Sequence, residues 1–244
     1  MESIFKQEIT VADSATDCFG RLKTSSLLAY VQDIAGLHCT VLGAGKPVAG
    51  GRRLAWMISR HRVQVTRLPR ARETISLETW PCPATKVAFP RSVVAYDAEG
   101  QELFRAMSMW VLVDAESRAM VVPGKSGVDL GGLLTGTELA RPGSLMPADM
   151  AQTVSRTVSF TDLDTNGHMN NCQYLNWVAD LLPSSFHRDH PVKEFVICYL
   201  NEAREGQEVK LKWTLNGNLR VEARGEKQLE PGTEHRIFAA DVIY

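Results

Sequence analysis

One stretch of seventeen residues has a related counterpart later in the chain, identical at five positions, and a chain that repeats a segment in like surroundings is built from two copies of one unit. Asp17 to Asp33 (DCFGRLKTSSLLAYVQD) aligns without a gap with Asp164 to Asp180 (DTNGHMNNCQYLNWVAD). Asp17/Asp164, Gly20/Gly167, Leu28/Leu175, Val31/Val178 and Asp33/Asp180 are identical. Each copy follows a short alternating run, Phe5 to Val11 and Val154 to Phe160. Each continues into apolar residues at helical spacing: Leu27, Leu28, Val31, Ile34 and Ala35 in the first, Tyr174, Leu175, Val178, Leu181 and Leu182 in the second. Gly43 and Gly45 stop the first helix. Pro183 stops the second, because it cannot continue the hydrogen-bond ladder.

Four strand-like runs follow each helix. They are Leu54–Thr66, Thr74–Trp80, Phe89–Tyr96 and Glu102–Val113, then Glu194–Asn201, Glu208–Leu215, Leu219–Arg224 and Arg236–Ile243. Asp97 to Gly100 and Asn216-Gly217 are hairpin turns. The repeating unit is therefore a strand, a long helix and four further strands. The expected class is α+β, with each helix wrapped by an antiparallel sheet. Residues 1–114 form the first repeat and residues 151–244 the second. Residues 115–150, rich in Gly and Pro, form a linker long enough that part of it should pack on a surface.

Composition narrows the partners. Among 244 residues, 27 Lys and Arg against 28 Asp and Glu give a net charge of -1, with no overall drive towards nucleic acid or membrane. No uncharged apolar run is long enough to span a bilayer as a helix. The opening residues lack a secretory signal or transit pattern, which suggests a bacterial cytoplasmic protein. Five cysteines, an odd number without a CxxC pair, fit neither a disulfide framework nor a zinc site.

The copies diverge at the turn before the helix. Asn166 and His168 stand where the first copy has Phe19 and Arg21. A polar turn with an N-cap would account for Asp and Asn there. A His set among Asp162, Asp164 and the asparagines is also suited to acid–base work near neutral pH, since a neighbouring carboxylate fixes its tautomer. The helix start offers backbone N–H groups for an oxyanion, and Gly167 lets a carbonyl approach the backbone closely. One His among carboxylates is a poor zinc site, no GxSxG nucleophile motif occurs, and Gly43-Ala-Gly45-Lys46 lacks phosphate-loop spacing.

The pattern F-x-D-x-D-x-x-G, from Phe160 to Gly167, resembles that of hotdog-fold thioesterases. The longer LDTNGHMNNCQYLNW, Leu163 to Trp177, is similar to the acyl-ACP thioesterases of plants and bacteria. The resemblance implies a tandem double hotdog, acting without cofactor or metal on fatty acyl-ACP to release fatty acid and holo-ACP and so end fatty acid synthesis. It assigns catalytic roles to Asp164, Asn166 and His168, and to an acid on the strand after the helix. That acid maps to Glu202, with Glu205 as the fallback. Ala203 stands where the plant enzymes have a cysteine, which favours carboxylate-driven hydrolysis.

The same resemblance puts the acyl chain in the first repeat, where Trp56, Met57, Ile58, Met107, Met109 and Trp110 are candidate lining residues. Acyl carrier protein is acidic. From Arg52 to Arg72 there are seven arginines and no acid, so Arg60, Arg62 and Arg67 are candidate docking residues. Either a monomeric pseudo-dimer or a homodimer is compatible. An acyl-CoA thioesterase of the same fold is the nearest alternative, and a non-catalytic acyl-binding protein is weaker because it needs no Asn or His at this turn. A hotdog hydratase ranks low, since its His usually lies five residues after the Asp and here lies four after.

Overall fold

The computed structural model describes residues 3–145, 150–230 and 233–244. The chain divides into two compact units, Met1–Pro142 and Gly143–Tyr244.

The first unit runs β1 Phe5–Thr10, α1 Thr24–Val41, β2 Val48–Ala49, β3 Arg52–Val65, β4 Thr74–Pro81, β5 Phe89–Tyr96, β6 Glu102–Asp114, β7 Met120–Val121 and the short α2 Pro123–Ser126. Its antiparallel sheet has the order β1-β4-β5-β6-β3, with β2 paired to β3 and β7 to β6. Apolar residues three and four apart give α1 a continuous buried stripe, in which Leu27, Leu28 and Val31 are fully buried. The polar side of β1 alternates outward with the period of two that its sequence carries.

The second unit runs β8 Gln152–Thr157, α3 Gln173–Ala179, α4 Ser184–Asp189, β9 Glu194–Tyr199, β10 Glu208–Asn216, β11 Arg220–Glu230 and β12 Thr233–Ile243. Its sheet order is β8-β10-β11-β12-β9, all antiparallel. Strand for strand this is the order of the first unit. Phe104 on β6 and Phe238 on β12 are both fully buried at matching positions. Opposite Phe238, Gly225 is required: a Cβ there would stand 2.4 Å from the Phe238 ring.

The second helix departs from expectation. It is not long: α3 has 7 residues against 18 in α1. Two local causes shorten it. Asn170 draws the Cys172 N–H onto its side-chain oxygen at 2.9 Å, so the chain enters through a turn. At the other end Pro183 disfavours helical backbone at Leu182, and Leu181 and Leu182 fall in a turn before α4. Phe160, expected at the end of a strand, instead opens a single 3-10 turn, Phe160–Asp162, and is 77% exposed.

Part of the Gly/Pro-rich segment packs on the first unit. Leu133 donates its N–H to Pro81 O at 2.7 Å, and Leu133 and Leu139 cover a buried cluster of Trp80, Cys82, Val94 and Met107. Among the described residues no helix is long and apolar enough to cross a membrane.

Candidate active site

The turn before each helix is built the same way. In the first unit the Asp17 N–H donates to Arg21 O at 2.7 Å and the Gly20 N–H to Asp17 O at 3.0 Å. Asp17 Oδ1 accepts the Phe19 and Arg21 N–H groups at 2.8 and 3.0 Å. In the second unit Asp164 N–H reaches His168 O at 2.7 Å, Gly167 N–H reaches Asp164 O at 3.0 Å, and Asp164 Oδ1 accepts from Asn166 and His168 at 2.8 and 3.2 Å. Gly20 and Gly167 have φ of 70° and 73°, a left-handed backbone that glycine adopts without strain. Asp164 is thus a loop organiser, as Asp17 is, and its Oδ2 also accepts from the Asn166 amide at 3.3 Å.

The loop after β3 in the first unit and the loop after β9 in the second complete the two junctions. Leu22 N–H donates to Pro69 O and Met169 N–H to Ala203 O, both at 2.8 Å, so Ala203 matches Pro69 and Glu202 matches Leu68. At the three positions facing this junction the first unit has Phe19, Arg21 and buried Leu68, with Arg21 ion-paired to Asp17 at 3.2 Å. The second has Asn166, His168 and Glu202. There His168 Nε2 lies 3.1 Å from Glu202 Oε2, with side-chain exposures of 17% and 31%. A carboxylate only accepts, so Nε2 carries the hydrogen of this contact.

The sequence-derived candidates therefore separate. Asp164, Asn166, His168 and Glu202 converge at one junction. Glu205 is exposed at the tip of the neighbouring turn, and His168 engages Glu202. Gly167 supplies the turn's backbone freedom, but its N–H is engaged by Asp164 O, so Asn166 is the exposed donor at this place. Among the described residues no three His, Cys, Asp or Glu side chains are grouped to hold a metal ion.

Two supporting residues escaped the sequence reading. Lys227 on β11 donates its Nζ to Glu202 O at 2.6 Å and to Gln207 Oε1 at 3.1 Å, fixing the backbone that carries the acid. Burial, then the charge of Arg204, lowers the Lys227 pKa from its ordinary value. Tyr174 on α3 is buried against Phe238, ring centroids 4.7 Å apart, and its hydroxyl meets the Ala203 backbone. Burial pushes that phenol well above the usual tyrosine range. A helical apolar stripe gave Tyr174 a core role only. Lys227 gives no signal in the sequence, because the apolar alternation Leu219, Val221, Ala223 stops before it, and the strand expected to end at Arg224 runs on to Glu230.

In the first unit an apolar cavity of about 390 Å³ opens beside α1, walled by Trp56, Phe89, Pro90, Trp110 and Leu130. Of the candidate lining residues it takes Trp56 and Trp110. Met107 packs instead with Trp80, Cys82 and Val94, and Met57, Ile58 and Met109 are not part of the wall. Arg60 and Arg62 alternate with buried His61 and Val63 on β3, and share one half-buried face. Arg60 Nη1 donates to Pro142 O at 3.3 Å. Arg67 forks onto Glu73 at 2.9 and 2.7 Å and reaches Asp97 at 3.4 Å, so its charge is answered within the unit.

Known proteins match this arrangement over nearly the whole chain. Residues 2–123 match the acyl-ACP thioesterase N-terminal domain and residues 147–241 the acyl-ACP thioesterase C-terminal domain. The palmitoyl-acyl carrier protein thioesterase of Gossypium hirsutum is 24% identical over 214 residues, 82% of this chain and 52% of that protein. The dodecanoyl-[acyl-carrier-protein] hydrolase of Umbellularia californica is 25% identical over 176 residues, 68% and 46% of the two chains. This chain spans about half the length of the curated relatives it matches. Among solved structures, an acyl-ACP thioesterase from Bacteroides thetaiotaomicron superposes with a TM-score of 0.85 at 21% identity, covering 99% of this chain and 97% of the other. The 12:0-ACP thioesterase of Umbellularia californica gives 0.81 at 19% identity, over 100% and 97%. The fold is of the hotdog type.

Proposed function

The chain belongs to the acyl-ACP thioesterase family, and on that premise we propose that it hydrolyses the thioester between a fatty acyl group and acyl carrier protein. The products are free fatty acid and holo-ACP, so the reaction ends chain growth. The observation that carries this reading is the 3.1 Å contact of His168 with Glu202 beside Asn166, at a junction where the first unit has Arg21, Leu68 and Phe19.

In this reading Glu202 is the general base. His168 holds one carboxylate oxygen, and the carboxylate takes a proton from the water that attacks the thioester carbon. The new C–O bond drives charge onto the carbonyl oxygen, where the Asn166 amide donates. Collapse breaks the C–S bond, and the thiolate recovers the proton from Glu202. Asp164 is a positioning residue: both its oxygens serve the turn that presents Asn166 and His168.

The acyl chain occupies the apolar cavity of the first unit, and Arg60 and Arg62 contribute to a surface for the acidic carrier. Arg67, tied to Glu73 and Asp97, contributes to the fold more than to docking. The test is thiol release from palmitoyl-ACP beside palmitoyl-CoA. Turnover of the carrier-bound substrate that survives in both Glu202→Gln and His168→Ala would refute the proposed mechanism, and a preference for the CoA ester would refute the substrate.

A further inference from the structure

The cavity of the first unit contains a positive charge that no described carboxylate answers. We propose that it takes an aliphatic chain ending in a carboxylate, seated on the Arg91 guanidinium with the Trp110 indole N–H as a second donor. The inference relies on the thioesterase reading for the chain, and on the cavity alone for the carboxylate.

Arg91, on β5, lines the cavity and is only 2% exposed. Its Nη1 donates to His38 Nδ1 at 2.9 Å and Thr79 Oγ1 at 3.3 Å, and its Nη2 to Cys39 Sγ at 3.5 Å. A guanidinium stays charged in proteins and can only donate. His38 Nδ1 is therefore an acceptor, and an imidazole accepting there is neutral. Thr79 carries no charge, and burial pushes the nearby Cys82 thiol up to about 11. Among the described residues no carboxylate stands within ion-pair distance of Arg91.

Trp110, in the same wall, has a buried Nε1 without a hydrogen-bond partner. Trp56 differs, giving its N–H to Ala44 O at 2.8 Å. The chamber thus holds a buried guanidinium without a carboxylate partner and, in its wall, an indole N–H without an acceptor, within walls that otherwise suit hydrocarbon. A buried charge without its partner is unfavourable, and a carboxylate matches the guanidinium fork in shape as well as sign.

Such a carboxylate has two sources: the far end of a dicarboxylic acyl group, or a released fatty acid entering head first. Calorimetric titration of the whole protein with two matched pairs separates them. One pair is dodecanoate and 1-dodecanol. The other is S-(11-carboxyundecyl)pantetheine and S-dodecylpantetheine, thioethers that cannot be hydrolysed. In at least one pair the carboxylate should bind about tenfold tighter or more, a difference of about 1.4 kcal/mol. Arg91→Met should erase that preference, and Trp110→Phe should weaken only the carboxylate member. Preference confined to the first pair identifies the free acid, and preference in the second identifies the dicarboxylic acyl group. No preference in either pair overturns the proposal, as does a preference that survives Arg91→Met. Should Arg91→Met fail to fold, Arg91→Gln, which keeps N–H donors but carries no charge, takes its place in the same comparison beside Trp110→Phe. No readout depends on turnover, so a failed thioesterase assay leaves the result intact.

Discussion

His168 Nε2 and Glu202 Oε2 meet at 3.1 Å although 33 positions separate them in the chain. The contact exists because Met169 N–H is hydrogen-bonded to Ala203 O, which clamps the turn to the loop after β9. Glu202→Gln and His168→Ala should each lower kcat for acyl-ACP by about 10²–10⁴, the range of general acid–base contributions, with KM little changed. Glu205→Gln should remain close to wild type. Steady-state thiol release measures all three, and an equal loss in Glu205→Gln would reassign the base.

Asp164 offers a sharper comparison. Asp164→Asn keeps an oxygen for the two backbone N–H groups and should retain activity within about tenfold; a nucleophilic role would abolish it. Asp164→Ala and Asp17→Ala remove like sets of hydrogen bonds, and each should cost about 1–3 kcal/mol of stability. Only the former should also depress kcat in the folded protein. Urea titration together with initial rates makes the distinction.

Gly225→Ala should destabilise the second unit by about 1–3 kcal/mol through overpacking, since the new methyl meets the Phe238 ring. Phe238 supports Tyr174, which supports the Ala203 backbone, so kcat should fall with stability. A melting temperature equal to wild type would contradict the close approach. In the first unit the matching residue, Ala95, already carries the methyl opposite Phe104.

Burial lowers the His61 pKa from 6.5 to about 3, and its Nδ1 sits 2.8 Å from Ser108 Oγ. Below pH 6.5 the unfolded chain binds a proton there that the folded chain refuses until about pH 3. Stability should therefore fall with falling pH across that window and be unaffected by this group above it. From pH 7 to pH 5 the loss from His61 should be about 2 kcal/mol. Chemical denaturation of His61→Gln, whose side chain does not titrate, should show a correspondingly flatter dependence.

Charge reversal at Arg60 and Arg62 should raise KM for acyl-ACP several-fold at low salt and leave cleavage of a small neutral thioester nearly unchanged. Arg67→Ala should instead lower stability, because it frees Glu73, whose carboxyl is held below its usual range chiefly by the Arg67 hydrogen bond. An unaltered KM in the double reversal would remove this face from docking.

Much of the architecture was legible because it is written twice. The repeated segment, the two hairpin turns and the period-two runs specified strands whose pairing order recurs in both units. The length of α3 was not legible, since Leu181 and Leu182 continue the apolar period while Asn170 and Pro183 impose the ends through local hydrogen bonding and ring sterics. Asn166 and His168 stood out by contrast with Phe19 and Arg21. Glu202 came from a motif, and Lys227 from nothing local, because its role depends on how β11 lies against the loop carrying the acid. Of the six candidate lining residues only Trp56 and Trp110 face the cavity, because Met and Trp have the same apolar signature whether they face a chamber or a neighbour.

The twin turns have a corollary for engineering. Because each closes through the same backbone ladder whichever side chains stand beside it, the side chains at these positions can differ between the units without unravelling the ring of hydrogen bonds that presents them. Placing Asn, His and Glu at positions 19, 21 and 68 is accordingly a three-letter graft onto an intact mount, not a redesign.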